Sequence, residues 1–307
     1  MESKNWRSQS KIILAFAAIY IIWGSTFYGV LIALKSFPPF LMSTLRFFIA
    51  SCAILMYCLI KEEPFPAWAD IKKNMVFGIV LFIGGVVSIA WAQQFISSSF
   101  ASIIITTPFW FVILDKKQWH FYFSNKWIIT GLITGLLGVI LLMSNTQGST
   151  GTGDEKMQLV SIFIIIAGSF LWVVGSLYLK YKPLKSSTYV NTCIQLFTAC
   201  LFCLVISFFR NEPQNLNINT IRIDSIIALF YLSIFSSLIT FIAYIWLIKV
   251  KPPAIVSTYA YVNPVVAMLL GVGLAGESIT ALQILALFII LCGVLFVNIP
   301  KYRLVLK

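Results

Sequence analysis

Groups able to do covalent or metal chemistry are scarce in this chain. It has one histidine, His120, and ten carboxylates among 307 residues. None of those carboxylates falls inside an apolar run; Asp115, Asp224 and Glu277 stand at the ends of runs. Cys200 and Cys203 form a CxxC, but no second ligand pair and no histidine lies near them, so all six cysteines read as packing thiols. No nucleophile–base set, carboxylate pair or metal-ligand cluster can be assembled, so no catalytic residue, metal or cofactor is expected. The chemistry that remains is noncovalent. Trp23, Thr26, Trp91, Thr107, Trp172, Tyr259 and Asn263 place aromatic faces and hydrogen-bonding groups in stretches otherwise fit for lipid. An indole or phenol offers a flat apolar face with one polar handle, and a buried amide needs partners. Such groups suit the holding of a small molecule.

The elements that must carry these residues are membrane helices. The chain is 60% hydrophobic and 10% charged, with a mean hydropathy of +0.94. Soluble domains run about 45–50% apolar and about 25% charged. The fold class expected is therefore all-α, a polytopic membrane protein in a lipid bilayer. A net charge of +12 in a soluble protein would point to nucleic acid. Here the Lys and Arg sit in short gaps between apolar runs and read as topology signals, so no nucleic-acid partner is expected.

A spanning helix needs roughly 20 mainly apolar residues. The sequence predicts ten spans, at 12–34, 39–60, 74–96, 99–114, 127–143, 158–179, 187–209, 223–247, 253–275 and 280–298. The first is too long for a signal-peptide core and lacks a small-residue cleavage site, so it should persist as a transmembrane helix. Seventeen of the 22 Lys and Arg fall in alternate gaps and only four in the others, with Arg46 inside a span. Basic residues mark cytoplasmic loops, so both termini are expected in the cytoplasm.

Ten spans divide into two fives, and an odd number of crossings inverts the second copy. ASIIITTPFWFV (101–112) and STYAYVNPVVA (257–267) correspond in kind, placing Pro108 and Pro264 in the fourth span of each half. Gly138-Val139 and Gly293-Val294 follow near the end of each fifth span, and Trp23 has a counterpart in Trp172. The expected organisation is a first five-helix repeat at 1–143, a linker at 144–157 and a second repeat at 158–307. Inverted repeats with matching helix interruptions point to a secondary transporter whose site lies at the midplane between the repeats. Pro108 and Pro264 are then places where helices can bend; the plainer reading is that membrane helices tolerate proline generally.

On IYIIWGSTFYG (19–29), PPFLMSTLRFFIA (38–50), TTPFW (106–110) and STYAYVNPVVAMLLGVGLAGESIT (257–280), the chain resembles the EamA family of the drug/metabolite transporter superfamily. The likeness extends over nearly the whole chain. It implies a ten-helix carrier of two inverted repeats in the bacterial inner (plasma) membrane. Such carriers mostly export small metabolites, often amino acids, though some import. The family's Gly-Glu step is kept at Gly276-Glu277 and missing after Leu114.

Individual residues keep alternative readings. Tyr259 and Asn263 are four apart and share a helix face, suited to a polar cavity; Asn263 equally suits repair of the backbone broken by Pro264. Trp23 and Trp172 either flank a site or simply pack. Gln93 and Gln94, beside Trp91 at the end of the third span, are expected mainly at the headgroup interface. Arg46 lies seven residues past Pro39, roughly 10 Å down a helix at about 1.5 Å per residue, within snorkelling reach, and a structural role is favoured over a functional one. Thr280 and Gln283 fit a capping box, with Glu277 beside it. Without an intramembrane carboxylate, a central-glutamate proton antiporter and a strongly cationic substrate are disfavoured. The substrate expected is a small neutral, zwitterionic or weakly anionic metabolite. An uptake carrier of a larger metabolite and a non-transporting membrane protein remain alternatives, and the oligomeric state is open.

Overall fold

The computed structural model describes residues 2–105, 107–144, 155–275 and 280–305, and every regular element among them is helical. In chain order these are α1 (Glu2–Ala33), α2 (Pro39–Ile60), α3 (Trp68–Ala92), α4 (Ser98–Ile103), α5 (Thr107–Leu114), α6 (Trp119–Ser124) and α7 (Lys126–Ser144). There follow α8 (Glu155–Tyr181), α9 (Thr188–Phe209), α10 (Ile223–Val250), α11 (Pro253–Val256), α12 (Tyr259–Ala275) and α13 (Ala281–Val305). In hydrocarbon every backbone N–H and C=O must be satisfied within its own segment, which leaves helices as the form for apolar runs of this length.

Among the described residues, seven helices are long and apolar enough to cross a bilayer, or eight if the pair Lys116–Ser124 and Lys126–Leu141, bent by 94°, counts as one span. Ile284–Val297 is a shorter apolar helix, and Phe100–Leu114 is a shorter apolar stretch whose helix is broken at Ile104 and Ile105. The expected fourth span is thus in two pieces, α4 and α5, interrupted before Pro108. Pro108 occupies the first turn of α5, where a missing N–H costs nothing. The ninth is also divided: a turn at Ser257–Thr258 separates α11 from α12, and Pro264 sits inside α12. The interruption precedes the proline in both places. Glu277, Thr106 and the linker residues 145–154 lie outside the described residues, as does the side chain of Gln283.

Two further irregularities match. The middle of α3, Gly78–Val87, and the middle of α10, Leu232–Thr240, both wind as π-helix. A wider turn leaves carbonyls and side chains off the ordinary i→i+4 register, and such turns cluster at functional sites.

The bundle is assembled by α7 along α13, α2 along α9, α1 along α12 and α8 along α3. Between lipid-soluble helices close backbone approach replaces the hydrophobic drive. At the α7–α13 contact a Cβ on Gly293 would lie 2.5 Å from the Gly135 nitrogen, so only glycine allows these axes to come so near. The small residues near the Gly-Val pairs therefore serve internal packing. The six cysteines are free, Cys200 and Cys203 being buried, in keeping with packing thiols.

Polar side chains tie the two ends of the bundle. At one end Glu212, buried after α9, accepts from the backbone N–H of Leu41 at 2.7 Å and of Phe40 at 3.4 Å, capping α2, whose own flanking Pro38 has no cap to offer. At the other, lysine-rich end the Asp115 carboxylate accepts from the hydroxyls of Tyr122 (2.8 Å) and Tyr181 (2.5 Å). There Lys180 also donates to the carbonyls of Ile248 (2.6 Å) and Lys251 (2.9 Å). Burial and the neighbouring Asp115 carboxylate push the Tyr122 phenol well above the ordinary tyrosine range, so it stays a donor.

Candidate functional site

A cavity lies among α1, α2, α3, α8, α10 and α12, with about 770 Å³ of empty space counting its mouth. Helical spacing explains its walls. From α1 come Trp23, Thr26, Phe27 and Val30, at i, i+3, i+4 and i+7, one face of a helix. From α3 come Phe82, Gly85, Val86 and Ile89, followed by Gln93 just past the helix end. Ile165, Ser169 and Trp172 descend one face of α8, and Tyr259 and Asn263 one face of α12. Arg46 is the only contribution from α2; Ser236, Ser237 and Phe241 come from α10, and Ile105 and Thr107 from the interruption before Pro108. Both π-helical segments therefore open onto the same space.

The floor is aromatic. The Trp23 ring meets Tyr259 at 4.9 Å, Tyr244 at 5.0 Å and Trp172 at 5.6 Å between centroids. Tyr244 is fully buried and shares a 2.7 Å hydrogen bond with Ser176. Below it the lysine-rich end is closed by the Asp115 and Lys180 contacts and by the 2.6 Å bond between Tyr20 and Thr258. The lining residues instead run along α1 and α3 towards Val30 and Gln93, at the end of the bundle where Glu212 caps α2. Gly85 makes room for Trp172: a Cβ there would overlap the indole Cε3.

The polar equipment is unfinished. Among the described residues, Gln93 Oε1, Asn263 Oδ1, Thr107 Oγ1 and Trp172 Nε1 are buried without a hydrogen-bond partner, and all four residues line this cavity. The Tyr259 hydroxyl lies close to Thr107 and Trp172. Unpartnered buried polar atoms each cost about 1–3 kcal/mol. Around one cavity they leave polar groups that an occupant, water included, would satisfy.

Six of the seven candidate residues, Trp23, Thr26, Thr107, Trp172, Tyr259 and Asn263, are brought together here. Trp91 is placed elsewhere, against Phe95 at 5.0 Å and facing an open groove with Phe40, Leu171 and Ile206. Pro108 and Pro264 are buried behind the wall rather than in it. Two residues need correction. Gln93 faces the bundle interior rather than its surface: it is 5% exposed, and its amide donates to the Phe27 carbonyl at 3.0 Å. The turn that ends α3 carries it inward, while Gln94 remains exposed. Arg46 does not snorkel: it is 4% exposed, its Nε donating to Ser237 at 2.7 Å and its Nη2 to Ser236 at 2.9 Å. The serines that draw it in are 190 and 191 residues away in the sequence, which no local reading finds.

Comparison with known proteins agrees with this geometry. A model described as "EamA-like transporter family" matches residues 10–144 and again 159–299. The uncharacterized inner membrane transporter YedA of Escherichia coli (strain K12) is 30% identical over 290 residues, covering 94% of this chain and 90% of YedA. The uncharacterized transporter YoaV of Bacillus subtilis (strain 168) is 21% identical, covering 94% of this chain and 96% of its own. A solved crystal structure described only as that of a protein superposes with a TM-score of 0.74 at 17% identity, covering 96% of this chain and 99% of that one, which speaks for the fold alone.

Proposed function

The chain belongs to the EamA-like transporter family, and from that premise we propose that it is a secondary carrier exporting small metabolites by alternating access around the cavity just described. The substrates are neutral, zwitterionic or weakly anionic, amino acids among them, and the membrane is the bacterial inner membrane with both termini in the cytoplasm. Trp23, Thr26, Thr107, Trp172, Tyr259 and Asn263 bind the substrate.

The observation that carries this reading is the cluster of unpartnered polar atoms on an aromatic floor in a cavity shared by helices before and after residue 150. In this conformation one side is open to a depth of Trp23, and the lysine-rich side is shut by hydrogen bonds. That is one state of a two-state carrier.

Ten crossings in two inverted halves, 1–143 and 158–307, are supported by packing that interchanges when the halves are swapped. Helix α1 packs on α10 and α12 as α8 packs on α3 and α5, and α2 packs on α10 as α9 packs on α3. The family model also matches twice, either side of the proposed linker at 144–157. The half-spans α4 and α11 end in interruptions that serve as hinges; Pro108, which cannot donate to the carbonyl of Ile104, keeps the first from closing into a continuous helix, while Pro264 lies within α12.

Purified protein in proteoliposomes loaded with a panel of labelled amino acids tests the reading. Efflux down an imposed gradient, abolished with the protein omitted, is the expected result. A panel in which no compound crosses faster than through protein-free vesicles contradicts it.

A further inference from the structure

Arg46 is a charge without a counter-charge. It lies inside α2, is 4% exposed, and forms no salt bridge among the described residues. Its two hydrogen bonds, to Ser236 and Ser237, are to neutral hydroxyls and engage two of the guanidinium's five N–H donors. Serine dipoles orient a guanidinium but do not neutralise it. An isolated ion taken out of water is left with a penalty of several kcal/mol unless an opposite charge arrives.

The Arg46 side chain borders the cavity on the same wall as those serines, which are themselves held on the π-helical turn of α10. Fixing two donors on the serines holds the fork in one orientation and leaves the rest available. The edge left over, Nη1 with the remaining Nη2 hydrogen, is one through which arginine binds a carboxylate by paired hydrogen bonds. The other unfinished groups are of the complementary kind. Gln93 Oε1 and Asn263 Oδ1 are acceptors, 5% and 2% exposed as residues, and require a donor from an occupant. The rings of Trp23 and Tyr259 border the same space.

We propose that Arg46 is the carboxylate anchor of the substrate site, and that the cavity selects metabolites joining a carboxylate to an N–H or O–H donor that Gln93 and Asn263 receive. The proposal rests on the cavity being the transport site and narrows its substrate class: an uncharged or decarboxylated analogue leaves the guanidinium unpaired and binds poorly. Arg46 is thereby a specificity residue, and Ser236 and Ser237 position it.

The test separates binding from transport. Detergent-purified protein is titrated with L-amino acids and with their α-carboxamides, following the fluorescence of tryptophan, two of which line the cavity. The carboxylates are expected to bind more tightly than the matched amides by roughly thirtyfold or more, the scale of leaving one member of a buried charge pair alone. Arg46→Gln removes that preference, reducing carboxylate binding to the level of the amide, and Arg46→Lys retains part of it. The comparison of matched ligands on the unaltered chain needs no variant, so a fold defect in Arg46→Gln does not obscure it. Equal binding of acid and amide, or no binding by any carboxylate, overturns the proposal. Should carboxylates bind with this preference and yet none cross in proteoliposomes, the anchor stands and the carrier reading fails.

Discussion

The hydroxyl of Tyr181, the last residue of α8, donates a 2.5 Å hydrogen bond to the carboxylate of Asp115, which follows α5. This single contact ties a helix of one proposed half to a helix of the other at the lysine-rich end. Asp115 is 1% exposed and takes its second bond from Tyr122, whose hydroxyl also accepts from the Ala254 N–H at 3.4 Å. On the alternating-access cycle proposed above, the carboxylate is the hub of a latch that opens at turnover.

Tyr181→Phe removes one bond to a charged group, worth about 1.5–3 kcal/mol, and so moves the balance between closed and open forms by roughly tenfold or more. With native cysteines replaced, a cysteine at Thr258, next to the Tyr20 contact at this end, is expected to react faster with a membrane-impermeant maleimide in Tyr181→Phe than in its parent. An unchanged rate contradicts a latch at Asp115.

Gly85→Ala is expected to abolish transport while leaving expression intact. The new Cβ overlaps the Trp172 ring and drives the indole into the cavity. Gly273→Ala, where a Cβ meets nothing within 4 Å, is the matched control and should transport normally. Initial efflux rates of the two variants at equal protein density decide the matter; similar rates remove Trp172 from the wall of the transport path.

Trp23→Ala and Tyr259→Ala should each eliminate transport in vesicles that contain normal amounts of protein. Their rings form the floor together, at 4.9 Å and an interplanar angle of 72°, and edge-to-face pairs contribute about 0.5–1.5 kcal/mol beyond their buried area. Normal efflux by both variants places the site elsewhere.

Glu212→Ala is expected to lower stability by about 1.5–3 kcal/mol through loss of charged hydrogen bonds to the start of α2. Glu62→Ala, at an exposed loop position, should leave it unchanged. Thermal unfolding in detergent reads the difference, and equal melting temperatures deny Glu212 its capping role.

Much of the cavity's lining was legible because helices write their faces into the sequence at fixed spacing. Trp23 and Thr26, or Tyr259 and Asn263, share a face whatever the neighbours are, and the correspondence of Trp23 with Trp172 marked two helices that meet, their rings now 5.6 Å apart. What failed was depth and partner choice. Gln93 looked interfacial because its distance along the chain from a loop is short, yet a turn after Ala92 folds it inward to the Phe27 carbonyl. Arg46 looked able to snorkel because one dimension gives its distance from a helix end and not the two serines on a remote helix. The π-helical segments were invisible: GIVLFIGGVV is apolar all round and carries no mark of an i→i+5 pattern. Trp91 shows the converse, an aromatic within an apolar run that the structure sets on a separate groove.

The most direct measurement of whether this cavity is the transport site uses a cysteine at Ser169, on its wall, in a chain otherwise lacking cysteine. A thiol reagent applied from the open side should modify it and stop efflux. A transported amino acid should protect it with the same half-saturation as transport itself. Modification at an undiminished rate under saturating transported substrate, with efflux continuing, would contradict the assignment.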